Sequence, residues 1–304
     1  MKNRVLIYLS AVIIMGCSSH INPAFSPLAG KNYFDKEGHR GCRGLMPENT
    51  IPAYFKAIDL GVTTLEMDAV ITKDSQVIMS HEPFFNHEIT TKPDGSYVLE
   101  AGEKLLNIYR MNYAETVQYE VGLKQHPRFP HQLKIKATKP LLSDVIDQVE
   151  AYAKANNKKP VQYNIETKCM PDGDEVFHPK PAPFVDLLMQ VINSKGIAER
   201  VIVQSFDPRS LQYLHTKYPA VKTALLVEES DPKNFALQLK ELGFIPTIYS
   251  PAYQLVTPLL VKQCHDTGVM IIPWTVNDTD TIRKLKLTGV DGIISDYPNL
   301  FNQL

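Results

Sequence analysis

Residues 63–71 of the chain read Thr-Thr-Leu-Glu-Met-Asp-Ala-Val-Ile, and the fold class can be inferred by working outward from them. In a strand, Glu66 and Asp68 would point to one face, with their apolar neighbours on the other. A second strand candidate, 33–39, lies upstream, and a stretch of helical periodicity that opens at Pro47-Glu48-Asn49-Thr50 and ends at Gly61 separates the two. Strand, helix and strand in this order predict parallel pairing.

The same alternation continues to the C-terminus. We identify eight strand candidates: 33–39, 63–71, 161–168, 201–206, 222–227, 244–249, 269–276 and 292–295. Stretches with helical spacing lie between them, as in Leu141 to Lys154. Eight repeats in 304 residues favour an α/β fold closed into a (β/α)₈ TIM barrel over an open doubly wound sheet.

The first residues have the composition of an export signal. A cationic start at 1–4 precedes an apolar run at 5–15, and a glycine precedes Cys17. This order resembles bacterial lipoprotein signals, although an ordinary cleaved signal is the alternative. We therefore predict a signal peptide at 1–17, lipidation of Cys17, a tether at 18–31 and one catalytic domain at 32–304. The protein would be exported and anchored on the periplasmic or cell-surface side, with Ser18 slightly favouring an outer membrane.

One segment, 84–140, interrupts the alternation between the second and third predicted strands. It is far longer than the usual connection, so we interpret it as an insertion. It either shapes the substrate pocket at the barrel mouth or is a variable surface decoration.

Charge and cysteine content exclude some classes of function. The 32 basic and 33 acidic residues nearly balance, which does not favour nucleic acid as a partner. Beyond Cys17, the cysteines Cys42, Cys169 and Cys264 are too sparse for a disulfide scaffold and form no C-x-x-C metal pair, so we expect packed thiols.

Polar residues recur where the predicted strands end, which is the face of a TIM barrel that carries active sites. His39 and Arg40 follow the first strand, and His81 follows the short run 76–80. Two inward carboxylates on one strand cannot both stay ionised without a cation, so Glu66 and Asp68 predict an oxygen-ligand site for Ca²⁺ or Mg²⁺. Later strand ends add Glu166-x-Lys168, Trp274 and Ser295-Asp296.

Together these motifs resemble the glycerophosphodiester phosphodiesterase family. The resemblance rests on His39-Arg40-Gly41 with Pro47-Glu48-Asn49-Thr50, followed in order by Glu66-x-Asp68, His81, Glu166-x-Lys168 and Trp274-Thr275-Val276-Asn277. It implies a TIM barrel that uses one divalent cation to hydrolyse glycerophosphodiesters to glycerol 3-phosphate and an alcohol. It also implies that Glu66, Asp68 and Glu166 hold the metal, and that His39 and His81 are the catalytic pair. Arg40 and Lys168 would contact phosphate, Glu48 would steady Arg40, and Trp274 would pack against the alcohol or glycerol end.

Acid–base catalysis near neutral pH requires the two histidines to hold opposite protonation states, and we expect the carboxylate cluster to raise the pKa of one of them. The nucleophile is either a neighbouring glycerol hydroxyl, as proposed for the family, or water. Three alternatives remain: a phospholipase or lysophospholipase acting on membrane lipids, a non-catalytic phosphodiester-binding lipoprotein, and a glycosidase barrel.

Overall fold

The computed structural model describes residues 33–304. The predicted signal peptide 1–17, its Cys17 and the tether 18–31 lie outside the described residues. Among the residues that are described, no helix combines the length and apolar composition needed to cross a membrane.

Strands and helices alternate through the described chain. The strands are β1 Asp35–Gly38, β2 Thr64–Ile71, β3 Val77–Met79, β4 Gln162–Thr167, β5 Val201–Ser205, β6 Lys222–Val227, β7 Ile248–Pro251, β8 Met270–Ile271 and β9 Gly292–Ser295. The α-helices are α1 Ile51–Asp59, α2 Tyr113–Thr116, α3 Leu142–Ala155, α4 Pro181–Lys195, α5 Pro208–Lys217, α6 Phe235–Leu242, α7 Pro258–Asp266 and α8 Thr279–Thr288.

Eight of the strands form a parallel sheet in the order β8-β7-β6-β5-β4-β2-β1-β9, and β3 pairs antiparallel with β2. Backbone hydrogen bonds from Val276 N to Ile294 O, at 3.0 Å, and from Asp291 N to Ile271 O, at 2.9 Å, join the two ends of the sheet. The sheet is therefore a nearly closed barrel, and the predicted (β/α)₈ fold is confirmed.

Two strand boundaries differ from the prediction by more than two residues, in both cases at a proline, which has no amide hydrogen to donate. The candidate 244–249 begins pairing only at Ile248, after Pro246, and the candidate 269–276 pairs as β8 only at Met270–Ile271, before Pro273. Trp274 and Val276 nevertheless donate to residues in β7 and β9, so the barrel wall continues past the proline.

The barrel interior has an apolar half and a polar half. Alternate residues of β2 and β4, among them Leu65, Met67 and Ile165, pack outward in the main core beneath the helices. Inside, β5 to β9 contribute one apolar layer: Ile202, Ala224, Ile248, Ile272 and Ile294. The inward positions of β1, β2 and β4 carry buried polar side chains instead: Glu37, Glu66, Asp68, Asn164 and Glu166. The ionisable groups are therefore concentrated on one side of the barrel.

The segment 84–140 is an ordered insertion with its own small core. Phe85, Ile89, Ile108 and Val121 cluster with side chains of the β2–β3 hairpin. The insertion also reaches the barrel mouth, where Gln132 Nε2 donates to the carbonyl of Arg43 at 2.7 Å.

Candidate active site

Three carboxylates converge where β2 and β4 end. The two strands are in register with Asp68 opposite Glu166, and Glu66 lies on the same inward face. One oxygen from each of the three side chains lies within 4.8 Å of the others, and all three residues are buried. Burial, reinforced by the charge of Asp68, raises the pKa of Glu66. Burial also raises the pKa of Glu166, to about 7, although Lys168 opposes the shift.

This cluster has the properties of a divalent cation site. Its ligands are all carboxylate oxygens, the donors that Ca²⁺ and Mg²⁺ prefer. Asp68 Oδ1 is buried without a hydrogen-bond partner among the described residues, and Lys168 Nζ lies 3.7 Å from it. A bound cation would satisfy this oxygen and relieve the repulsion among the three carboxylates, so the residues present fit the metal that the sequence predicts.

His39 is held beside this cluster by a carboxylate from the far end of the chain. Its Nδ1 lies 2.6 Å from Asp296 Oδ1, and its Nε2 lies 3.9 Å from Glu66 Oε2. Arg43 donates to both oxygens of Asp296, at 2.9 and 3.1 Å, and Asn277 donates to Oδ2 at 2.7 Å. With Nδ1–H donated to Asp296, the Nε2 atom faces the carboxylate cluster.

His81 repeats this arrangement after β3. Its Nδ1 lies 2.6 Å from Glu82 Oε1, while Asn86 donates to Glu82 Oε2 at 2.6 Å. Each predicted catalytic histidine thus has a carboxylate partner on Nδ1.

The expectation that nearby acids raise the pKa of one histidine is not met. Burial lowers the pKa of His39 to about 4, even though Asp296 acts in the opposite direction. Burial also lowers the pKa of His81, and the positive charges of Arg40 and Lys168 add to the effect. Desolvation of the imidazolium therefore outweighs the neighbouring carboxylates.

Arg40 and Lys168, the predicted phosphate contacts, are paired with carboxylates of the site. Arg40 Nη1 donates to Glu48 at 2.9 Å, and its Nε lies 3.3 Å from Asp68 Oδ2. Lys168 Nζ lies 2.8 Å from Glu166 Oε1. Glu48 contacts Arg40 as predicted, and charge pairing with Arg40 and Arg43 holds the pKa of Glu48 low despite its burial.

A cavity of about 500 Å³ opens over these groups. It is lined by most of the predicted site residues: His39, Arg40, Glu66, His81, Glu166, Lys168 and Trp274. Glu48 and Asp68 are buried behind this lining. The insertion contributes Arg128 to the lining, which favours its predicted role at the mouth over that of a surface decoration.

Three residues of the site were missed by the sequence analysis. Asp296 was predicted to lie at a strand end, but its contact with His39 was not predicted. Neither Arg43 nor Glu82 was predicted to be a site residue. Some signal was present, since Arg43 lies in the same glycine-flanked segment as Arg40 and Glu82 directly follows His81. Their contacts with the histidines depend on tertiary structure.

Comparison with known proteins agrees with this geometry. Residues 39–300 match the model of the glycerophosphoryl diester phosphodiesterase family. A glycerophosphodiester phosphodiesterase of Caldanaerobacter subterraneus is 28% identical over 86% of this chain and 93% of its own length.

Solved structures show the same fold. One from Silicibacter pomeroyi superimposes with a TM-score of 0.79 at 27% identity, covering 90% of this chain and 95% of that one. A phosphodiesterase of Oleispira antarctica, solved with its product sn-glycerol-3-phosphate, has a TM-score of 0.70 at 19% identity, covering 89% and 96% of the two chains. The chain therefore belongs to the glycerophosphoryl diester phosphodiesterase family, whose enzymes hydrolyse phosphodiesters.

Proposed function

We propose that this enzyme hydrolyses glycerophosphodiesters to sn-glycerol 3-phosphate and an alcohol, with a divalent cation held by Glu66, Asp68 and Glu166. The main support is that His39 and His81, each in contact with a carboxylate, line the same cavity as this acidic cluster. The name of the Caldanaerobacter relative and the product in the Oleispira structure support the same substrate and product.

Binding of the anionic substrate depends on the cations of the pocket. Arg40 and Lys168 line the cavity beside the acidic cluster, where they can donate to phosphate oxygens. A divalent cation bound there would supply further positive charge to stabilise the phosphoryl group as it is attacked. Glu48 keeps the guanidinium of Arg40 oriented toward the site.

Proton transfer belongs to the two histidines. Asp296 and Glu82 each accept from Nδ1, so both imidazoles keep Nε2 for the reacting oxygens. One Nε2 removes a proton from the nucleophile. The other belongs to the histidine whose pKa the bound anionic phosphate would raise enough for it to be protonated, and it donates that proton to the departing alcohol. The His39–Asp296 and His81–Glu82 pairs are alike, so either histidine can be the general acid and the other the general base.

The test is an assay of glycerol 3-phosphate release from glycerophosphocholine after chelator treatment, with and without added Ca²⁺ or Mg²⁺. We expect metal to restore activity in the parent and in Glu199→Gln, an exposed control, but not in Glu66→Ala. Cleavage of lysolipid without release of glycerol 3-phosphate from any glycerophosphodiester would overturn the substrate assignment. No turnover of either substrate would favour a binding protein.

We also propose that the protein is exported and anchored by lipid on Cys17. The support is the order of cationic, apolar and small residues before this cysteine. Cys17→Ser should abolish incorporation of labelled palmitate and release the protein from the membrane fraction. Unchanged fractionation and labelling would contradict the proposal.

A further inference from the structure

The active-site cavity has a second wall that the proposed reaction does not use. In the barrel order, β6 is four strands away from β1 and therefore lies across the mouth from it. The cationic and acid–base groups extend from β1, β2 and β4, whereas Phe206, Leu226, Glu228 and Trp274 line the cavity from the ends of β5, β6 and β8. A ligand that spans the cavity must contact both walls.

Two aromatic rings form a corner on this second wall. The rings of Phe206 and Trp274 lie 5.4 Å apart between centroids, with their planes 84° apart. The indole is fixed because Trp274 Nε1 donates to the carbonyl of Ser250 at 2.9 Å, and it packs against the apolar layer inside the barrel. Rings held at right angles present a preformed apolar surface to a small ligand group.

Glu228 provides a negative charge beside this corner. It directly follows β6, in which Val227 is in register with Pro251, and Trp274 N donates to the carbonyl of Pro251 at 3.0 Å. Glu228 is exposed and lines the cavity. Its carboxylate forms no hydrogen bond or ion pair with any residue in the described range 33–304. By contrast, the cations Arg40, Arg43 and Lys168 across the cavity are all paired with acids.

We propose that Phe206, Trp274 and Glu228 form a subsite for a cationic amine head group, such as choline or ethanolamine. Aromatic faces and a carboxylate are the groups that bind substituted ammonium ions. Asp172, after β4, is a second cavity-lining acid and adds negative potential; within residues 33–304 its carboxylate has no hydrogen bond or ion pair. A zwitterionic diester would thus place its phosphate near Arg40 and Lys168 and its ammonium group near Glu228. The preference for a zwitterionic diester as substrate rests on the proposed function. Binding of the free ammonium compound to the subsite does not.

Binding can be measured without turnover because Trp274 is the single tryptophan of the chain. We expect choline to change its fluorescence saturably, and the neutral isostere 3,3-dimethylbutan-1-ol to bind more weakly. Glu228→Gln should raise the Kd for choline roughly fivefold or more, and Glu228→Gln with Asp172→Asn should raise it further. The matched control is Glu229→Gln, which removes a neighbouring exposed carboxylate that does not line the cavity and should leave the Kd unchanged. Equal Kd values in the parent and Glu228→Gln would overturn the proposal.

A second measurement separates this inference from the proposed reaction. The ratio of kcat/KM for glycerophosphocholine over glycerophosphoglycerol should fall roughly fivefold in Glu228→Gln and stay at the parent value in Glu229→Gln. Choline binding that depends on Glu228, without hydrolysis of any diester, would support the subsite and overturn the proposed function. Hydrolysis with a ratio unaffected by Glu228→Gln would overturn the head-group preference instead.

Discussion

Each histidine of the site is fixed by a carboxylate that contacts its Nδ1 atom. At His39 the partner is Asp296, which in turn accepts from Arg43 and Asn277. At His81 the partner is Glu82. An imidazole held in this way keeps one tautomer and one ring orientation, which leaves Nε2 available for proton transfer. The roles of these residues are tested by replacing the ring and its partner separately.

Replacing either histidine by alanine should slow turnover by at least about 10²-fold, because each removes a general acid or base. Steady-state release of glycerol 3-phosphate measures the effect, and thermal unfolding reports whether the barrel remains folded. His131→Ala is the control, since His131 is an exposed residue of the insertion. A folded His39→Ala or His81→Ala enzyme with nearly parental kcat would contradict the assignment.

Asp296→Asn should lower kcat by about 10² to 10⁴-fold with a smaller change in KM, as expected for loss of the correct imidazole tautomer. The Oδ2 atom of Asp296 accepts from both Arg43 Nη2 and Asn277 Nδ2, so the asparagine oxygen would keep that position, turn its NH₂ group toward His39 and require the wrong tautomer. Asp280→Asn, on the exposed surface of α8, serves as the matched change. Equal kcat values for the two variants would show that Asp296 does not orient His39.

At the scale of elements, the loop between β1 and α1 positions Arg40 and Arg43 by packing tightly on the helix. Gly41 has a φ of +85°, and a Cβ atom there would lie 2.8 Å from Ala53 Cβ and 2.9 Å from Ala53 C. Only glycine combines this left-handed conformation with so close an approach to α1. The loop therefore depends on Gly41 for both its turn and its position.

Gly41→Ala should destabilise the protein and reduce activity, whereas Gly95→Ala should affect stability less and activity little. Both glycines have positive φ, so both substitutions carry a conformational cost of about 1–2 kcal/mol. Gly95 has no atom within 4 Å of an added Cβ, so only Gly41→Ala adds a clash, worth about 1–3 kcal/mol more. Urea unfolding measures the difference. Equal losses of stability would show that contact with α1 is unimportant.

At the scale of the whole molecule, the barrel keeps carboxyl groups inside a closed wall. Glu37 of β1 is buried within the barrel, where its Oε2 accepts from Asn164 Nδ2 at 2.8 Å. Burial, followed by the charge of Asp35, raises its pKa well above the usual value. The folded state therefore retains a proton that the unfolded chain loses above about pH 4.3.

This linkage predicts a dependence of stability on pH. The contribution of the protonated Glu37 is complete below the unfolded pKa and is lost as the pH rises through the raised folded pKa. The free energy of unfolding should thus fall more between about pH 5 and pH 8 in the parent than in Glu37→Gln, whose side chain stays neutral. Urea unfolding across this pH range measures how the free energy of unfolding of each protein, the parent and Glu37→Gln, changes with pH. Parallel pH profiles would show that Glu37 does not ionise in this window.

Local pattern was sufficient for the alternation of strands and helices and for most of the site. Because side chains alternate along a strand, Glu66 and Asp68 had to share a face wherever their strand lay. The position of strand ends in a barrel then placed His39, Glu166 and Lys168 near them, and His81 came close because the short strand before it directly follows β2 in the chain. These are consequences of short-range geometry and of one repeating unit, so they could be predicted from the amino-acid sequence alone.

Contacts between segments that are distant in the sequence depend on how the barrel closes. Asp296 lies 257 residues from His39 and meets it because β9 closes the barrel beside β1. The position of Glu228 across the cavity from the cations near β1 likewise depends on the order of the strands around the barrel. Burial lowers the pKa of both histidines. The extent of burial depends on the packing of the closed barrel and not on the residues adjacent in the sequence. Closure brings together side chains that no local pattern relates, so their contacts could not be predicted from the sequence.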